Sequence, residues 1–418
     1  MGVVEGSASG DRVVGRGRAT GAAPTGRAVL LQLIAVIVLA LGIAGCGPQE
    51  PAAQQRSDAA PTQQPAAPAA VITTNPADAA TGVRPDTTVQ VGVQDGLLSQ
   101  VSLTRPDGEQ VPGKLARDGL SWESTEPLTA STDYTLTVRA HNGDANRTDS
   151  TARFSTLTPA DTQQVRISPR EGASVGIAMP VTATFSRPVT NKAAAERRLV
   201  VESIPLVQGA WHWDSDTQAT YRPRDYWPGG TRVTVHRDLN AVELAEGLWG
   251  VAEEPVTFTI GAATRSVVDL AAHTMTVHRN GQVLRTIPIT AGKQGMQTRI
   301  GTKVIMSRET QRTMNSATVG IPKDDPDYYL LNVRYAMRLT NSGEFLHAAP
   351  WSAHAHGKAN VSHGCTGMST DNARWLMGES KIGDPVEFVG GTRPLHEGNG
   401  WTLWNVPFEE WKQGSALD

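Results

Sequence analysis

The residues best suited to chemistry lie close together late in the chain. Ser362-His363-Gly364-Cys365 presents a thiol next to a glycine, and His347, His354, His356 and His363 supply imidazoles within twenty residues of it. A thiol becomes a strong nucleophile when a base removes its proton, so a Cys with nearby His residues suits covalent acyl transfer. Gly364 lets the backbone turn tightly, so that successive amides can point into one cavity. Thr370 can cap a helix that has Asp371 in its first turn and continues through Ala373, Arg374, Trp375, Leu376 and Met377. Such a helix would help to depress the thiol pKa. Two other readings stay open. Cys365 could be a buried structural residue. Alternatively, His354 and His356, two apart on one face of a strand, could join His363 and Cys365 around Zn²⁺. Against zinc, no carboxylate joins the cluster.

The elements that must position these residues are read from composition and patterning. The 418 residues carry Lys+Arg 38 against Asp+Glu 41, a net charge of -3, with no basic stripe, so nucleic acid is not an expected partner. Gly 41, Pro 26 and 39% hydrophobic residues fit a turn-rich, mainly β protein. Two cysteines exclude a disulfide framework. One long apolar run excludes a polytopic membrane protein. That run, Ala28 to Ala44, follows Arg12, Arg16, Arg18 and Arg27 and stops at Ala44-Gly45-Cys46, the pattern of an export signal. A plain membrane anchor is the alternative. The Cys at the end of the run resembles the lipobox of bacterial lipoproteins, which implies lipidation of Cys46 and tethering to the outer leaflet of the cell membrane, facing the cell wall. Residues 1–46 are thus read as signal and lipobox. Residues 47–70, rich in Pro, Ala and Gln, form a disordered spacer. An exported thiol is exposed to oxidation, so Cys365 is a liability unless it is used.

A loose duplication follows. Asn75-Pro76 and GVRPDTTVQV are echoed by Ser168-Pro169 and GIAMPVTATF, and each unit closes on an alternating run, around Phe154 and Phe258. Two immunoglobulin-like sandwiches are expected, 71–158 and 159–262, serving as a stalk or as a ligand-binding module. From residue 263, VDLAAHTMTVHRNGQVLRTIPITAG alternates around Asn280-Gly281, a strong hairpin signal. Met275 and Val277 on one arm, and Val283, Ile287 and Ile289 on the other, are expected to line one sheet face each. A tail, 391–418, carries Trp401, Trp404 and Trp411. It is expected to pack back on the neighbouring domains, with an exposed carbohydrate platform as the alternative.

These segments resemble an L,D-transpeptidase of the YkuD type. The resemblance rests on VDLAAHTMTVHRNGQVLRTIPITAGK, Gly301-Thr302, EFLHAAPW, NVSHGCTGMS and GDPVEFV, and spans 263–390. The sandwiches and tail resemble the long actinobacterial members. The resemblance implies a β-sandwich catalytic domain with Cys365 as nucleophile, His347 as base and the Ala348 carbonyl orienting the imidazole. It also implies an oxyanion hole from the amides of His363, Gly364 and Cys365. Met306 to Arg338 would be a lid, with Ser342 and Gly343 lining its inner edge and Gly367 facing the donor. No cofactor or metal is implied, and a monomer is expected. The implied reaction joins diaminopimelate residues of two peptidoglycan stems through a cysteine thioester, with release of D-Ala, by an enzyme that carbapenems acylate. Three departures stand out: Ala348 for the usual Ser or Gly, Gly367 for Arg or Asn, and Arg299 for Pro. If Gly367 merely lacks a contact to the stem, Gly367→Asn should improve donor use. If the departures have disabled catalysis, the chain is a cell-wall-binding scaffold lipoprotein.

Overall fold

The structure is a computed structural model that describes residues 68–143 and 146–417. Cys46, the apolar run and most of the Pro/Ala/Gln segment lie outside the described residues.

Alternation dictates the first sandwich. In Asp133–His141 every second side chain (Tyr134, Leu136, Val138, Ala140) is buried, as a strand with one face on a core requires. Its sheet runs Gln110–Val111, Leu97–Thr104, Asp133–His141, Arg147–Ser155. The opposing sheet runs Val71–Asn75, Gln90–Gln94, Ser121–Ser124, Gly113–Leu115. Trp122 and Phe154 fill the space between them, and Phe154 stacks on Tyr134 at 5.3 Å. The second sandwich repeats the plan. Val165–Ser168, Val181–Phe185, Gln218–Pro223 and Gly209–Trp213 face Ser174–Val175, Val256–Ile260, Arg232–Arg237 and Leu199–Ile204. Trp211, Tyr221, Trp227 and Phe258 pack in its core. Arg84 links the two sandwiches, meeting Glu243 at 2.8 Å and lying over the Trp249 ring.

The last large unit is a third β structure. One sheet runs Gln282–Pro288, Thr274–Arg279, Thr264–Asp269, Pro385–Val389, Gly301–Val304. The other runs Ser307–Asn315, Leu330–Arg338, Phe345–Ala348, Thr366–Met368, with the helix Thr370–Glu379 packed on it. Asn280 and Gly281 both have positive φ, 51° and 83°, the geometry of a tight two-residue hairpin. Met275, Val277, Ile287 and Ile289 are buried as their alternation requires, but Val283 is exposed. The register shifts between Val277 and His278, so that Val277 pairs with Arg285 and His278 with Val283. This one-residue bulge reverses the facing of the strand near the turn and puts Val283 in solvent.

The tail packs back on its neighbours. Trp404 Nε1 donates to Ala178 O at 2.9 Å and Trp411 Nε1 to Ala210 O at 3.1 Å, so two indole donors are satisfied on the second sandwich. The Arg222 guanidinium, buried on that sandwich, lies within 5.1–5.4 Å of the Trp404, Phe408 and Trp411 rings. Asn405 reaches the other way, accepting from Thr302 N and donating to Thr302 O on the third β unit. The tail therefore fastens the second sandwich to the strand Gly301–Val304.

Candidate active site

Two adjacent parallel strands hold the main groups. His347 lies in Phe345–Ala348, directly beside Gly367 in Thr366–Met368, and Cys365 immediately precedes that second strand. All four residues of Phe345–Ala348 are buried, because this strand lies inside the sheet with a neighbour on each side. His347 and Cys365 thus line one cavity of about 270 Å³, walled mainly by Met314, Tyr329, Leu331, Val333, Trp351 and Val361.

Burial sets the resting charge state. Loss of hydration pushes the Cys365 thiol up to about 12 and moves the His347 imidazole down from its ordinary value. Both changes favour the neutral forms at physiological pH. His347 Nδ1 sits 2.8 Å from Ala348 O. A carbonyl can only accept, so Nδ1 carries the hydrogen and Nε2 is left as a proton acceptor. Cys365 Sγ donates to Gly343 O at 3.5 Å.

The helix expected to aid the thiol starts one residue earlier than expected, yet does not reach Cys365. Ser369, not Thr370, is its N-cap, accepting from Asn372 N. The strand Thr366–Met368 intervenes, so Cys365 is outside the first turn, where the helix dipole acts.

The loop before Cys365 is tied at several points. Gly364 has φ +122°, Thr298 Oγ1 donates to Gly364 O at 2.8 Å, and Ser362 Oγ donates to Cys365 O at 2.6 Å. The Gly364 amide itself donates to Ser362 Oγ at 3.1 Å. Of the three amides expected to hold an oxyanion, this one is already engaged. Those of His363 and Cys365 make no hydrogen bond among the described residues. The His363 ring is engaged with the 306–338 segment, Nε2 at 3.2 Å from Asp327 Oδ1 and its ring 5.0 Å from that of Tyr329.

Met306 to Arg338 folds as a long hairpin capped by the short 3₁₀ turn Ser316–Val319. Asp327 ties this segment to the site through Lys293 at 2.5 Å and through His363. Gly343 receives the turn closely: a Cβ there would fall 2.8 Å from Val319 Cγ1, and its φ is +93°. Ser342 was expected at the same inner edge, but it is exposed and turned toward the tail. Its amide donates to Asn399 Oδ1 and its hydroxyl accepts from Asn399 Nδ2.

Two further expectations are corrected. His354 and His356 do not share a strand face; the segment Pro350–Ala355 is a 3₁₀ helix that ends just before His356. Among the described residues no three His, Cys, Asp or Glu side chains gather as a metal site. Gly367 does line the cavity, but there is no room for a side chain. A Cβ would lie 2.7 Å from the Ala349 Cβ and 3.2 Å from Thr290 Cγ2, and both are short side chains that cannot swing aside.

Sequence reading missed Glu344, Lys303 and Thr298. Glu344 is buried and paired with Lys303 at 2.5 Å and Arg299 at 2.9 Å, directly behind the Gly343–Cys365 contact. Of the three, only Lys303 lies in a strand, as a charge within Gly301–Val304.

The model of the L,D-transpeptidase catalytic domain matches residues 263–388, and a bacterial Ig domain model matches 80–243. L,D-transpeptidase 2 of Mycobacterium tuberculosis is 35% identical over 350 residues, covering 82% of this chain and 85% of that protein. L,D-transpeptidase 5 of the same species is 33% identical over 84% of this chain and 78% of its own length. A solved L,D-transpeptidase in complex with imipenem is 41% identical over 54% of this chain and 99% of that one, with a TM-score of 0.48. The chain belongs to the L,D-transpeptidase family.

Proposed function

We propose that the chain cross-links peptidoglycan stems through a thioester on Cys365. The observation that carries this reading is the shared cavity of Cys365 and His347, with His347 Nδ1 fixed by Ala348 O. The sulfur attacks the carbonyl of the diaminopimelate residue in a donor tetrapeptide while His347 Nε2 takes the thiol proton. Because thiol and imidazole both rest neutral, the proton moves as the C–S bond forms rather than beforehand. The amides of His363 and Cys365 receive the oxyanion, at roughly 3–4 kcal/mol of barrier per donor. The C–N bond to D-Ala breaks and His347 returns the proton to the departing amine. The side-chain amine of diaminopimelate on a second stem then attacks the thioester, His347 takes its proton, and as the C–S bond breaks His347 passes that proton to the sulfur and restores the thiol.

Lipidation of Cys46 would hold this chemistry at the outer face of the cell membrane, with the sandwiches spacing the site toward the wall. Labelling with a palmitate analogue checks it: the tag should appear on the wild type and be lost in Cys46→Ala.

Incubation with a carbapenem and measurement of intact mass tests the site. One whole drug should add to the wild type and none to Cys365→Ser. A disaccharide-tetrapeptide should lose D-Ala and yield a cross-linked dimer. A chain that forms no adduct and releases no D-Ala would instead be a wall-binding lipoprotein with a lapsed site.

A further inference from the structure

Behind the nucleophile lies a group of charges that the reaction as described does not use. Lys303, on the strand Gly301–Val304, is fully buried, with Nζ 2.5 Å from Glu344 Oε2 and 3.6 Å from the centre of the Phe388 ring. Arg299 gives Glu344 Oε1 two more donors, Nη1 at 2.9 Å and its backbone amide at 3.1 Å. The Glu344 amide donates to Thr340 Oγ1 at 2.9 Å, so both ends of the residue are fixed.

This cluster touches the catalytic loop on two sides. Gly343, next to Glu344, accepts the Cys365 thiol, and Thr298, next to Arg299, holds Gly364 O. A Cβ built on Gly364 would be 3.8 Å from Glu344 Oε1, so the carboxylate lies against the nucleophile's own loop. A carboxylate in that place opposes formation of a thiolate. Lys303 and Arg299 offset that anion, and two cations against one carboxylate leave the cluster one excess positive charge. Stability alone is a weak reason for such a group, since a buried ion cluster is often no better than apolar packing.

We propose that Lys303 is a positioning residue for the nucleophile: with Arg299 it fixes Glu344, and thereby the Gly343 carbonyl, and it leaves a net positive charge behind Cys365 that stabilises the thiolate as it forms. This rests on Cys365 being the nucleophile. Burial lowers the Lys303 ammonium to about 8 while Glu344 holds it up, so it is mostly charged at neutral pH. Burial pushes the thiol up and the Phe345 backbone amide pulls it down; Glu344 pushes it up and Lys303 pulls it down. The other titratable groups around Cys365 are His347 on its neighbouring strand, Tyr329 on the hairpin and His363 in its own loop, with Asp327 beyond His363.

The test reads the thiol directly. Cys365 in the full chain is alkylated with iodoacetamide across pH 6–10, a measurement that does not depend on transpeptidation. Lys303→Met removes the excess charge and should slow alkylation at pH 7 by about tenfold, one unit of thiol acidity. Lys303→Met combined with Glu344→Gln restores one excess positive charge, from Arg299, and should return the rate toward wild type. A single variant at the wild-type rate overturns the proposal. So does a double variant that stays as slow as the single, because the effect would then be packing. If Lys303→Met does not fold, Arg299→Met makes the same change in net charge and must slow alkylation to a similar extent; an unchanged rate overturns the proposal. Failure of the wild type to release D-Ala would overturn the transpeptidase reading and leave this comparison intact.

Discussion

His347 Nδ1 donates to the carbonyl oxygen of Ala348, its own neighbour in the chain, across 2.8 Å. The contact uses only backbone from residue 348, so an Ala side chain there does not weaken it. It also fixes the tautomer, which leaves Nε2 to accept the thiol proton.

From this contact, Ala348→Ser should change kcat/KM for a tetrapeptide donor by no more than a few-fold, whereas His347→Ala should lower acylation by orders of magnitude. A free thiol is at most a few per cent ionised near neutral pH, and burial leaves Cys365 less so. Stopped-flow acylation by a carbapenem checks both. Equal damage from the two substitutions would show that the side chain at 348, not its carbonyl, matters.

Gly367→Asn is expected to harm rather than help. A Cβ 2.7 Å from that of Ala349 must push two strands or the Pro350–Ala355 turn aside, at a cost of about 1–3 kcal/mol. The midpoint of thermal unfolding should fall and donor turnover should drop with it. An unchanged midpoint with faster turnover would restore the idea that this position merely lacks a contact to the stem.

Asp384 predicts a pH dependence of stability. Burial raises its carboxyl to about 7, against the lowering effects of the Lys381 amide and of Lys381, Arg279 and Arg308, and its Oδ1 has no hydrogen-bond partner. The folded-state value lies above the unfolded one, so the folded state binds the proton more tightly. This contribution to stability is fully present below about pH 4 and is lost as pH rises to about 7. Asp384→Asn should therefore match the wild type in acid and exceed it above pH 7, by a few kcal/mol at most. Urea unfolding at pH 4.5 and 8 measures this, and a pH-independent difference would refute it.

Arg222→Ala should loosen the tail. The substitution removes a buried guanidinium that faces three aromatic rings and donates to Val406 O at 2.7 Å, at a cost of about 2–4 kcal/mol. Tryptophan emission should shift to the red, and trypsin should cut at Lys412 sooner than in the wild type. A protected tail would mean that the indole donors of Trp404 and Trp411, with the Asn405 contacts, hold it without Arg222.

Local information was enough for much of this protein. Strict alternation in Asp133–His141 and in Thr274–Arg279 marks a strand with one buried face, because successive side chains point to opposite sides. Asn280-Gly281 marks the hairpin because these residue types tolerate positive φ. The thiol, the imidazole and the glycine beside the thiol are legible as chemistry from residue type alone. Tertiary structure decided the rest, since it depended on neighbours distant in sequence. The bulge that exposes Val283 arises from pairing across the hairpin, and the missing space at Gly367 from the approach of Ala349 and Thr290. Ser342 turns outward because Asn399, 57 residues later, satisfies it. Lys303 and Glu344 look like unremarkable charges in sequence, and Arg299 only like a departure from the family pattern. Folding removes them from water together, and a charge without solvent must find partners nearby.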